Sequence, residues 1–264
     1  MTKKKLKIFA IKPLEGELKE ITLDDAYHFS VGSILGDAGI PKKESYLEME
    51  QKSPTYTKWK WEKCLEYKLC YLRPKSKFKG KTWSFSGSKC VVSYPLKVKI
   101  RKPKKDSKLA VYTSFYLATR ALYSEGWKEL FYLEKGGNQR ATFRKRIPPN
   151  ISDYFWGDLA LAIWFLDDGW YDWKKKTVRF SAEEWPRNEC EILKECLKIN
   201  FNLEVRIYPL TGNPHHFYLE NSSYPEFCRR VIPYIKNDFE KNYPRYSVSQ
   251  AMKNKVIIES TVQV

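Results

Sequence analysis

Two aspartates of this chain, Asp37 and Asp168, each end an apolar stretch of about three helical turns and are followed closely by a glycine. The C-terminal end of a helix carries the negative pole of the helix dipole, which disfavours a carboxylate by a few tenths of a kcal/mol up to about one. A bound divalent cation reverses the sign of that interaction. Two such aspartates, on helices of matching character, predict a metal site that the two helices share.

The apolar stretches that carry these aspartates cover 28–40 and 159–170, and both stand out against charged surroundings. Gly39 and Gly169 are expected to end the two helices in the left-handed conformation, which glycine adopts without steric cost. The repetition of helix, aspartate and glycine indicates a chain built from two similar halves.

Small residues on the first helix predict that another helix packs closely against it. Gly32 and Gly36 lie four positions apart and therefore on one face, where the missing side chains let a second backbone approach. On the second helix, Ala162 is expected to provide the matching notch. We therefore expect the two helices to pack together, with their aspartates at the same end.

The segments after each helix also repeat, and their patterns predict an α+β fold. In the first half we expect a strand, a helix, further strands and a final helix, over 46–51, 56–69, 82–92 and 114–123. In the second half we expect strands and helices over 177–181, 188–201, 203–208, 216–219 and 224–235. The order corresponds to αββαββα twice, with an N-terminal half over 1–135, a linker over 136–150 and a C-terminal half over 151–264.

Lysine and arginine outnumber acidic residues by 48 to 31, which gives the chain a formal charge of +17. This excess favours a polyanionic partner, because self-repulsion otherwise destabilises a compact chain. No apolar run is long enough to span a bilayer and no basic amphipathic helix stands out, so nucleic acid is preferred over a membrane. Basic residues of predicted strands are candidate groove or phosphate contacts, although a solvated face produces the same pattern. These candidates are Lys75, Lys77, Lys79, Lys81, Lys97, Lys99, Arg101 and Arg179.

Cysteine and histidine usage argues against a zinc ribbon or a histidine-based metal nuclease. The chain has six cysteines without a C-x-x-C pair, and three histidines. The cysteines are expected to be free thiols in a reducing compartment. His215 and His216, on a predicted strand, are expected to have a surface or internally satisfied role rather than to bind metal.

Two segments around the aspartates resemble a known motif: SVGSILGDA over 30–38 and LAIWFLDDG over 161–169. Both resemble the LAGLIDADG motif of homing endonucleases, and the two copies resemble the single-chain type of that family. The resemblance implies two pseudo-symmetric halves that form a saddle-shaped DNA-binding β-surface, with the motif helices packed at their interface. It also implies a monomer that cuts double-stranded DNA at a long target site during intron homing, with Mg²⁺ or Mn²⁺ as cofactor.

The same resemblance assigns roles to individual residues. Asp37 and Asp168 stand at the eighth position of the motif, where the metal-binding acids of the family lie, and Asp167 is then a neighbour rather than a ligand. The sequence RKRIP over 144–148 resembles the basic stretch before the second motif, which makes Lys145 a candidate for electrostatic catalysis.

Two further active-site candidates follow from the resemblance. The sequence YPRY over 243–246 resembles the Tyr-Lys-Leu region of the family, so Arg245 stands in the Lys position, with Lys241 as the alternative. Gln51 resembles a polar active-site residue on the first strand. Its pseudo-symmetric position in the second half holds Ala182, so a symmetric role for the pair is not expected.

Two other functions are compatible with the same fold. An RNA maturase would bind intron RNA and assist splicing, and a non-catalytic protein would only bind DNA. A pure binder does not need an acid at both helix ends, so the presence of Asp37 and Asp168 favours a site-specific, Mg²⁺-dependent DNA endonuclease. The resemblance further implies an intracellular protein of an organelle, either a chloroplast or a mitochondrion.

Overall fold

The computed structural model describes residues 23–41, 47–51, 53–67, 69, 81–85, 88–92, 97–101, 112–118, 125–135, 142–172, 174–175, 177–209 and 215–235. The helices are α1 (Leu23–Leu35), α2 (Pro54–Glu66), α3 (Glu125–Phe131), α4 (Asp158–Asp168), α5 (Arg187–Phe201) and α6 (Tyr224–Val231). The strands are β1 (Glu48–Gln51), β2 (Lys81–Phe85), β3 (Ser88–Val92), β4 (Lys97–Arg101), β5 (Tyr112–Ala118), β6 (Tyr132–Lys135), β7 (Thr142–Lys145), β8 (Gly169–Asp172), β9 (Thr177–Ser181), β10 (Val205–Pro209) and β11 (His215–Leu219). Short 3-10 helices cover Ile151–Asp153, Asn221–Ser223 and Ile232–Tyr234. Helices combine with antiparallel sheets, so the predicted α+β class is confirmed.

The described residues form two compact units. The first consists of the described positions within 1–26 and 38–124, and the second of those within 27–37 and 125–264. Most of α1 therefore belongs to the unit that contains the second half of the chain. The predicted division into 1–135, 136–150 and 151–264 follows the sequence repeat rather than these units, and it stays a prediction.

In the first unit, an antiparallel sheet has the strand order β1-β5-β4, and β2 and β3 form a separate antiparallel pair. Helix α2 packs against β1 and β5. The start of α2 is fixed by Ser53, whose hydroxyl accepts a hydrogen bond from the N–H of Tyr56 at 3.2 Å, and by Pro54 in the first turn. The helix predicted over 56–69 is thus confirmed, although it begins earlier and ends earlier.

The helix predicted over 114–123 is wrong in its described part, because Tyr112–Ala118 forms β5, the central strand of this sheet. The segment is rich in aromatic and β-branched residues, which favour an extended strand between two partners over a helix. The register pairs Phe115 with Gln51 of β1 on one side and with Val98 of β4 on the other. The next described helix along the chain is α3.

The second unit reproduces the predicted αββαββα order with α4, β8, β9, α5, β10, β11 and α6. Strands β8 to β11 form an antiparallel sheet in the order β10-β11-β9-β8. One sheet face packs against α4, where Trp164 stacks on Phe180 of β9 with ring centroids 4.4 Å apart, and Phe165 meets Phe180 edge-on at 5.7 Å. All α4 residues from Leu159 to Leu166 are buried, so this aromatic core fixes the helix that ends at Asp168.

Helix α5 follows the predicted apolar stripe, since Leu193, Leu197 and Phe201 are fully buried. The helix ends at Asn202, which adopts the left-handed conformation with φ of 55°. Asparagine tolerates this conformation better than most residues other than glycine, and its N–H bonds to carbonyl groups of the last turn. The sequence therefore predicted the body of α5 correctly.

Helix α6 is shorter than the predicted range 224–235, because the chain changes to a 3-10 turn after Val231. Pro233 lacks the N–H group that a continuing α-helix would require. Ser223, which precedes this described helix, forms no side-chain cap. The hydroxyl of Ser223 instead accepts a hydrogen bond from the N–H of Glu204 at 2.8 Å.

The end of α4 differs from the prediction in its backbone conformation. Gly169 is extended, with φ of −97° and ψ of 159°, rather than left-handed, and it is the first residue of β8. A Cβ atom on Gly169 would lie 2.6 Å from the carbonyl oxygen of Phe165. Close packing, rather than a left-handed backbone, therefore requires glycine at this position.

Two expectations from the composition concern membranes and cysteines. No helix in the described part of the chain is long and apolar enough to cross a bilayer. Four cysteines of the described part are buried free thiols, as predicted: Cys64, Cys190, Cys196 and Cys228.

Candidate active site

Helices α1 and α4 come into backbone contact at Gly32. A Cβ atom on Gly32 would lie 2.8 Å from the Cα atom of Ala160 and closer still to the carbonyl oxygen of that residue. A backbone cannot yield as a flexible side chain can, so only glycine fits where the two helices meet. The predicted close approach at Gly32 is confirmed, but its partner on α4 is Ala160 rather than Ala162.

The C-terminal tips of the two helices are joined through Asp167. Its Oδ2 atom accepts a hydrogen bond from the backbone N–H of Asp37 at 3.2 Å. Gly36 leaves room for this carboxylate, since a Cβ atom on Gly36 would lie 2.8 Å from Cγ of Asp167. Asp167 therefore holds the end of α1 next to the end of α4.

Asp37 and Asp168 interact electrostatically at these helix tips. Burial raises the pKa of Asp168 well above its usual value, and the negative charges of Asp37 and Asp167 raise it further. Lys145 lowers the pKa of Asp168, and Glu184 adds a smaller increase. Asp37 is exposed, whereas Asp168 is half-buried. The structure thus brings together the two acids that were predicted to share a site.

Lys145 lies at the same helix tips. It is the last residue of β7, which forms an antiparallel pair with β6. Its Nζ atom donates a hydrogen bond to the carbonyl oxygen of Gly36, directly after the end of α1. The ammonium group therefore lies at the negative pole of the helix dipole, where a cation is favoured. Lys145 balances part of the negative charge that Asp37 and Asp168 bring to this place.

This arrangement of carboxylates fits a hard divalent cation, which prefers oxygen ligands. Among the residues that the structure describes, no group of three or more His, Cys, Asp or Glu side chains could hold a metal ion. Mg²⁺ does not need such a cage, since it usually takes one or two carboxylates and completes its shell with waters and substrate phosphates. Asp37 and Asp168 therefore suit a cation that is shared with a phosphate-bearing ligand.

The sheet of the second unit carries a cluster of polar and aromatic side chains around Arg179, on the face opposite α4. Arg179 lies opposite Trp170 of β8 and Tyr218 of β11 in the strand register, so the three share one face. Its guanidinium group lies 4.0 Å from the centre of the Trp170 ring and donates a hydrogen bond to the Tyr218 hydroxyl at 2.9 Å. Asp172 lies 3.8 Å from the same group. Arg179, predicted to contact nucleic acid, is thus held in place by its neighbours.

His216 belongs to the same cluster. Its Nε2 atom lies 2.8 Å from Nη2 of Arg179, and the residue is only 1% exposed. Burial lowers the pKa of His216, the positive charge of Arg179 lowers it further, and Glu183 acts in the opposite direction. The imidazole is therefore neutral at neutral pH and accepts the hydrogen bond from Arg179. His216 is therefore buried rather than at the surface, and its Nε2 atom is satisfied by Arg179.

The other predicted site residues lie on other elements or outside the described residues. Gln51 is buried at the end of β1 in the first unit, and Ala182 is buried directly after β9. Lys81 lies on β2, and β4 contains Lys97, Lys99 and Arg101. The residues outside the described part are Lys75, Lys77, Lys79, Lys241 and Arg245. The predicted roles of all these residues stay predictions.

The sequence model of the LAGLIDADG DNA endonuclease family matches residues 27–227, a span that includes both motif segments, 30–38 and 161–169, and Lys145. The chain belongs to the LAGLIDADG DNA endonuclease family. The resemblance inferred from the two motifs is therefore confirmed, and α1 and α4 are the two LAGLIDADG helices.

Two relatives match parts of this LAGLIDADG chain. "Probable intron-encoded endonuclease 1" of Wickerhamomyces canadensis is 35% identical over 97 residues, which cover 35% of this chain and 42% of the relative. "Cytochrome b mRNA maturase bI2" of Debaryomyces hansenii is 30% identical over 93 residues, which cover 34% of each chain. The match thus spans less than half of the length of either relative.

A solved LAGLIDADG structure matches a larger share of this chain than the two relatives do. The homing endonuclease I-WcaI, bound to its DNA recognition sequence, has a TM-score of 0.59 and 22% sequence identity to this protein. The similarity covers 86% of this chain and 95% of that chain. At this level of identity the likeness shows a shared fold.

Proposed function

We propose that this protein is a site-specific endonuclease that hydrolyses both strands of DNA at a long target site, as a homing endonuclease does. The observation that carries the proposal is the meeting of Asp37 and Asp168 at the tips of the two LAGLIDADG helices, beside Lys145. Two interacting carboxylates repel the phosphates of a nucleic acid, so without a bound cation they would weaken rather than support nucleic-acid binding. Membership of a family of DNA endonucleases supports the same function.

In the proposed site, Asp37 and Asp168 would hold Mg²⁺ or Mn²⁺. The bound ion would activate a water molecule and stabilise the charge that develops on the leaving oxygen. Lys145, held at the end of α1, would neutralise negative charge on the phosphate that is attacked. We propose Arg245, or alternatively Lys241, as a second basic residue of this kind, and we propose Gln51 as a further polar residue of the site.

We propose that the sheet face around Arg179 contacts DNA. Lys175 lies 4.0 Å from the centre of the Tyr218 ring and adds a second positive charge to the cluster of Trp170, Arg179 and Tyr218. Further phosphate or groove contacts would come from the basic residues of the first half, namely Lys75, Lys77, Lys79, Lys81, Lys97, Lys99 and Arg101. With a formal charge of +17, the affinity for DNA would fall steeply as the salt concentration rises.

RNA binding is a second candidate function, because one relative is named a cytochrome b mRNA maturase. A maturase would bind intron RNA through the same basic surface and would not need Asp37 and Asp168. We further propose that the protein acts as a monomer and is encoded in an intron of an organelle genome, chloroplast or mitochondrial. The name of the Wickerhamomyces canadensis relative, an intron-encoded endonuclease, supports the intron origin.

Cleavage of a DNA library tests the endonuclease proposal. The purified protein is incubated with Mg²⁺ and a plasmid library that carries a randomised insert, and the cut ends are sequenced. We expect double-strand breaks that recur in one family of related sequences, are abolished by EDTA and are absent with Asp168→Asn. The proposal is overturned if the wild-type protein cuts none of the library while it binds an intron RNA tightly.

A further inference from the structure

Glu189, in the first turn of α5, contacts the chain on both sides of Lys145. It is almost fully buried, with 7% of its surface exposed. Its two carboxylate oxygens accept hydrogen bonds from the two terminal nitrogens of Arg144, at 2.6 and 3.1 Å, and one of them also accepts from the N–H of Ile147 at 3.0 Å. One side chain of α5 therefore holds the residue before Lys145 and the residue two positions after it.

The arginines next to Lys145 complete this attachment. Nη1 of Arg144 also donates a hydrogen bond to the carbonyl oxygen of Lys145 at 3.0 Å. Arg146 extends to a different element, since its Nε and Nη2 atoms donate to two carbonyl oxygens in the last turn of α3, at 2.8 and 2.6 Å. The contact of Arg146 with α3 is favourable, because a cation at a helix C-terminus interacts well with the helix dipole. The backbone at Lys145 is thus fixed from α5 and from α3.

We infer that Glu189 and Arg144 are positioning residues, which hold Lys145 at the carboxylates of the active site. The inference rests on the proposed role of Lys145 in DNA cleavage. A bidentate arginine–carboxylate pair is strong and directional, and a carboxylate in the first turn of a helix gains from the helix dipole. The lysine side chain is itself a flexible four-carbon stem. Its ammonium group can stay at Gly36 only if the backbone that carries it is fixed.

The expected consequence is a defect in cleavage that exceeds any defect in DNA binding. Loss of the carboxylate in Glu189→Ala frees Arg144 and the N–H of Ile147, and Lys145 then samples positions away from the helix tips. A misplacement of about 1 Å can cost about 100-fold in rate, so we expect the cleavage rate to fall about 10- to 100-fold. Glu189→Gln keeps an acceptor oxygen for Ile147 and should lose less.

A matched ion pair elsewhere in the same unit provides the control. Asp158, at the start of α4, pairs with Arg230 at 2.7 Å, and both side chains are partly buried. Helix α4 has 11 residues, so Asp158 and Asp168 lie at opposite ends, about 15 Å apart along the helix axis. Asp158→Asn therefore removes a partly buried ion pair of the same unit without touching the segment of Lys145, and Arg230 keeps Glu226 as a partner.

The experiment measures single-turnover cleavage and DNA affinity of the folded variants on a duplex selected from the library. Support requires a 10- to 100-fold slower rate for Glu189→Ala at unchanged affinity, a smaller loss for Glu189→Gln, and a wild-type rate for Asp158→Asn. A rate for Glu189→Ala that equals that of wild type or of Asp158→Asn overturns the inference.

Hydrogen exchange separates a failure of this inference from a failure of the proposed function. If the wild-type protein cuts no DNA, the endonuclease proposal fails, but the attachment of Lys145 can still be measured. Amide exchange at Ile147 should be faster in Glu189→Ala than in Asp158→Asn, because only the first variant removes the acceptor of that N–H. Equal exchange in the two variants contradicts the attachment itself.

Discussion

The backbone N–H of Asp37 donates a hydrogen bond to Oδ2 of Asp167, which is 3.2 Å away and 130 positions later in the chain. The carboxylate of Asp167 is therefore committed to holding the tip of α1. The next residue, Asp168, has a different environment, since burial and the charges of Asp37 and Asp167 raise its pKa. The two adjacent aspartates at this helix end thus lie in different environments, and substitutions can distinguish their contributions.

We expect Asp37→Asn and Asp168→Asn each to bind DNA but to lose cleavage by more than about 100-fold, because a neutral amide is a poor ligand for a divalent cation. Asp167→Asn is the matched control, since it removes the same charge at the same helix end while its amide oxygen can still accept from the N–H of Asp37. It should retain measurable cleavage. Single-turnover assays with Mg²⁺ measure the rates, and cleavage retained by Asp168→Asn would reassign the metal site.

The contact of the two LAGLIDADG helices can be tested at Gly32. In Gly32→Ala the new methyl group would meet the backbone of Ala160, so α1 and α4 must separate. We expect the free energy of unfolding to fall by about 1–3 kcal/mol or more. Gly126→Ala is the control, because Gly126 is also helical but an added Cβ atom there would meet nothing within 4 Å. This substitution should be neutral or stabilising by up to about 1 kcal/mol. Urea titrations of both variants measure the difference, and equal effects would contradict the close contact.

The second half of the fold was predictable because its signals are local. The apolar run at 159–166 is long enough for a buried helix, and all of its residues are buried in α4. The stripe of Leu193, Leu197 and Phe201 repeats with the helix period, and α5 buries that face. The error over 114–123 shows where local signals fail. A short apolar run suits a helix or a buried strand, and here the choice is made by pairing with β1 and β4, which are distant in sequence.

The candidate active site was predictable only in part. Asp37 and Asp168 are marked by the repeated motif, but the hydrogen bond of Lys145 joins it to a residue 109 positions away, and no local pattern encodes that contact. Glu189 was missed although it left a signal. It lies four positions before Leu193 on the apolar stripe of α5, and an acid on a buried stripe requires a partner.

We expect the shape of the Arg179 guanidinium group, and not only its charge, to contribute to stability and to DNA affinity. In Arg179→Lys the positive charge remains, but one ammonium group cannot cover the Trp170 ring and also bond Tyr218 and His216. We expect the free energy of unfolding to fall by about 1–3 kcal/mol. The affinity for DNA should fall as well, whereas its salt dependence should stay near that of wild type because the net charge is unchanged. Binding titrations at several salt concentrations measure both quantities.

Arg206→Lys is the control for this substitution. Arg206 faces Tyr218 across the sheet, but its side chain is 64% exposed and it pairs with Glu220 at the surface. A surface ion pair of this kind contributes little to stability. We therefore expect no measurable change in the stability of Arg206→Lys, and an equal loss in the two variants would show that the packing of Arg179 is not special.

Acid should weaken the folded protein through His216. Burial and the charge of Arg179 lower the pKa of His216 below its usual value of 6.5. The protonated ring would also lose the hydrogen bond that the neutral ring accepts from Arg179. The unfolded chain therefore takes up a proton at a higher pH than the folded protein does. The contribution to stability is complete above about pH 6.5 and is lost as the pH falls through the pKa of the folded state.

Replacement of His216 by glutamine isolates this contribution, because the amide can still accept from Arg179 but does not titrate. The free energy of unfolding is measured without metal at about pH 7.5 and about pH 5.5, on either side of the usual histidine pKa. Wild type should lose more stability between the two values than His216→Gln. Both proteins keep Glu183, which faces His216, and Asp172, which faces Arg179. The contribution of these two carboxylates to the loss of stability therefore cancels when the two proteins are compared. An equal loss in the two proteins would show that the pH dependence comes from a group other than His216.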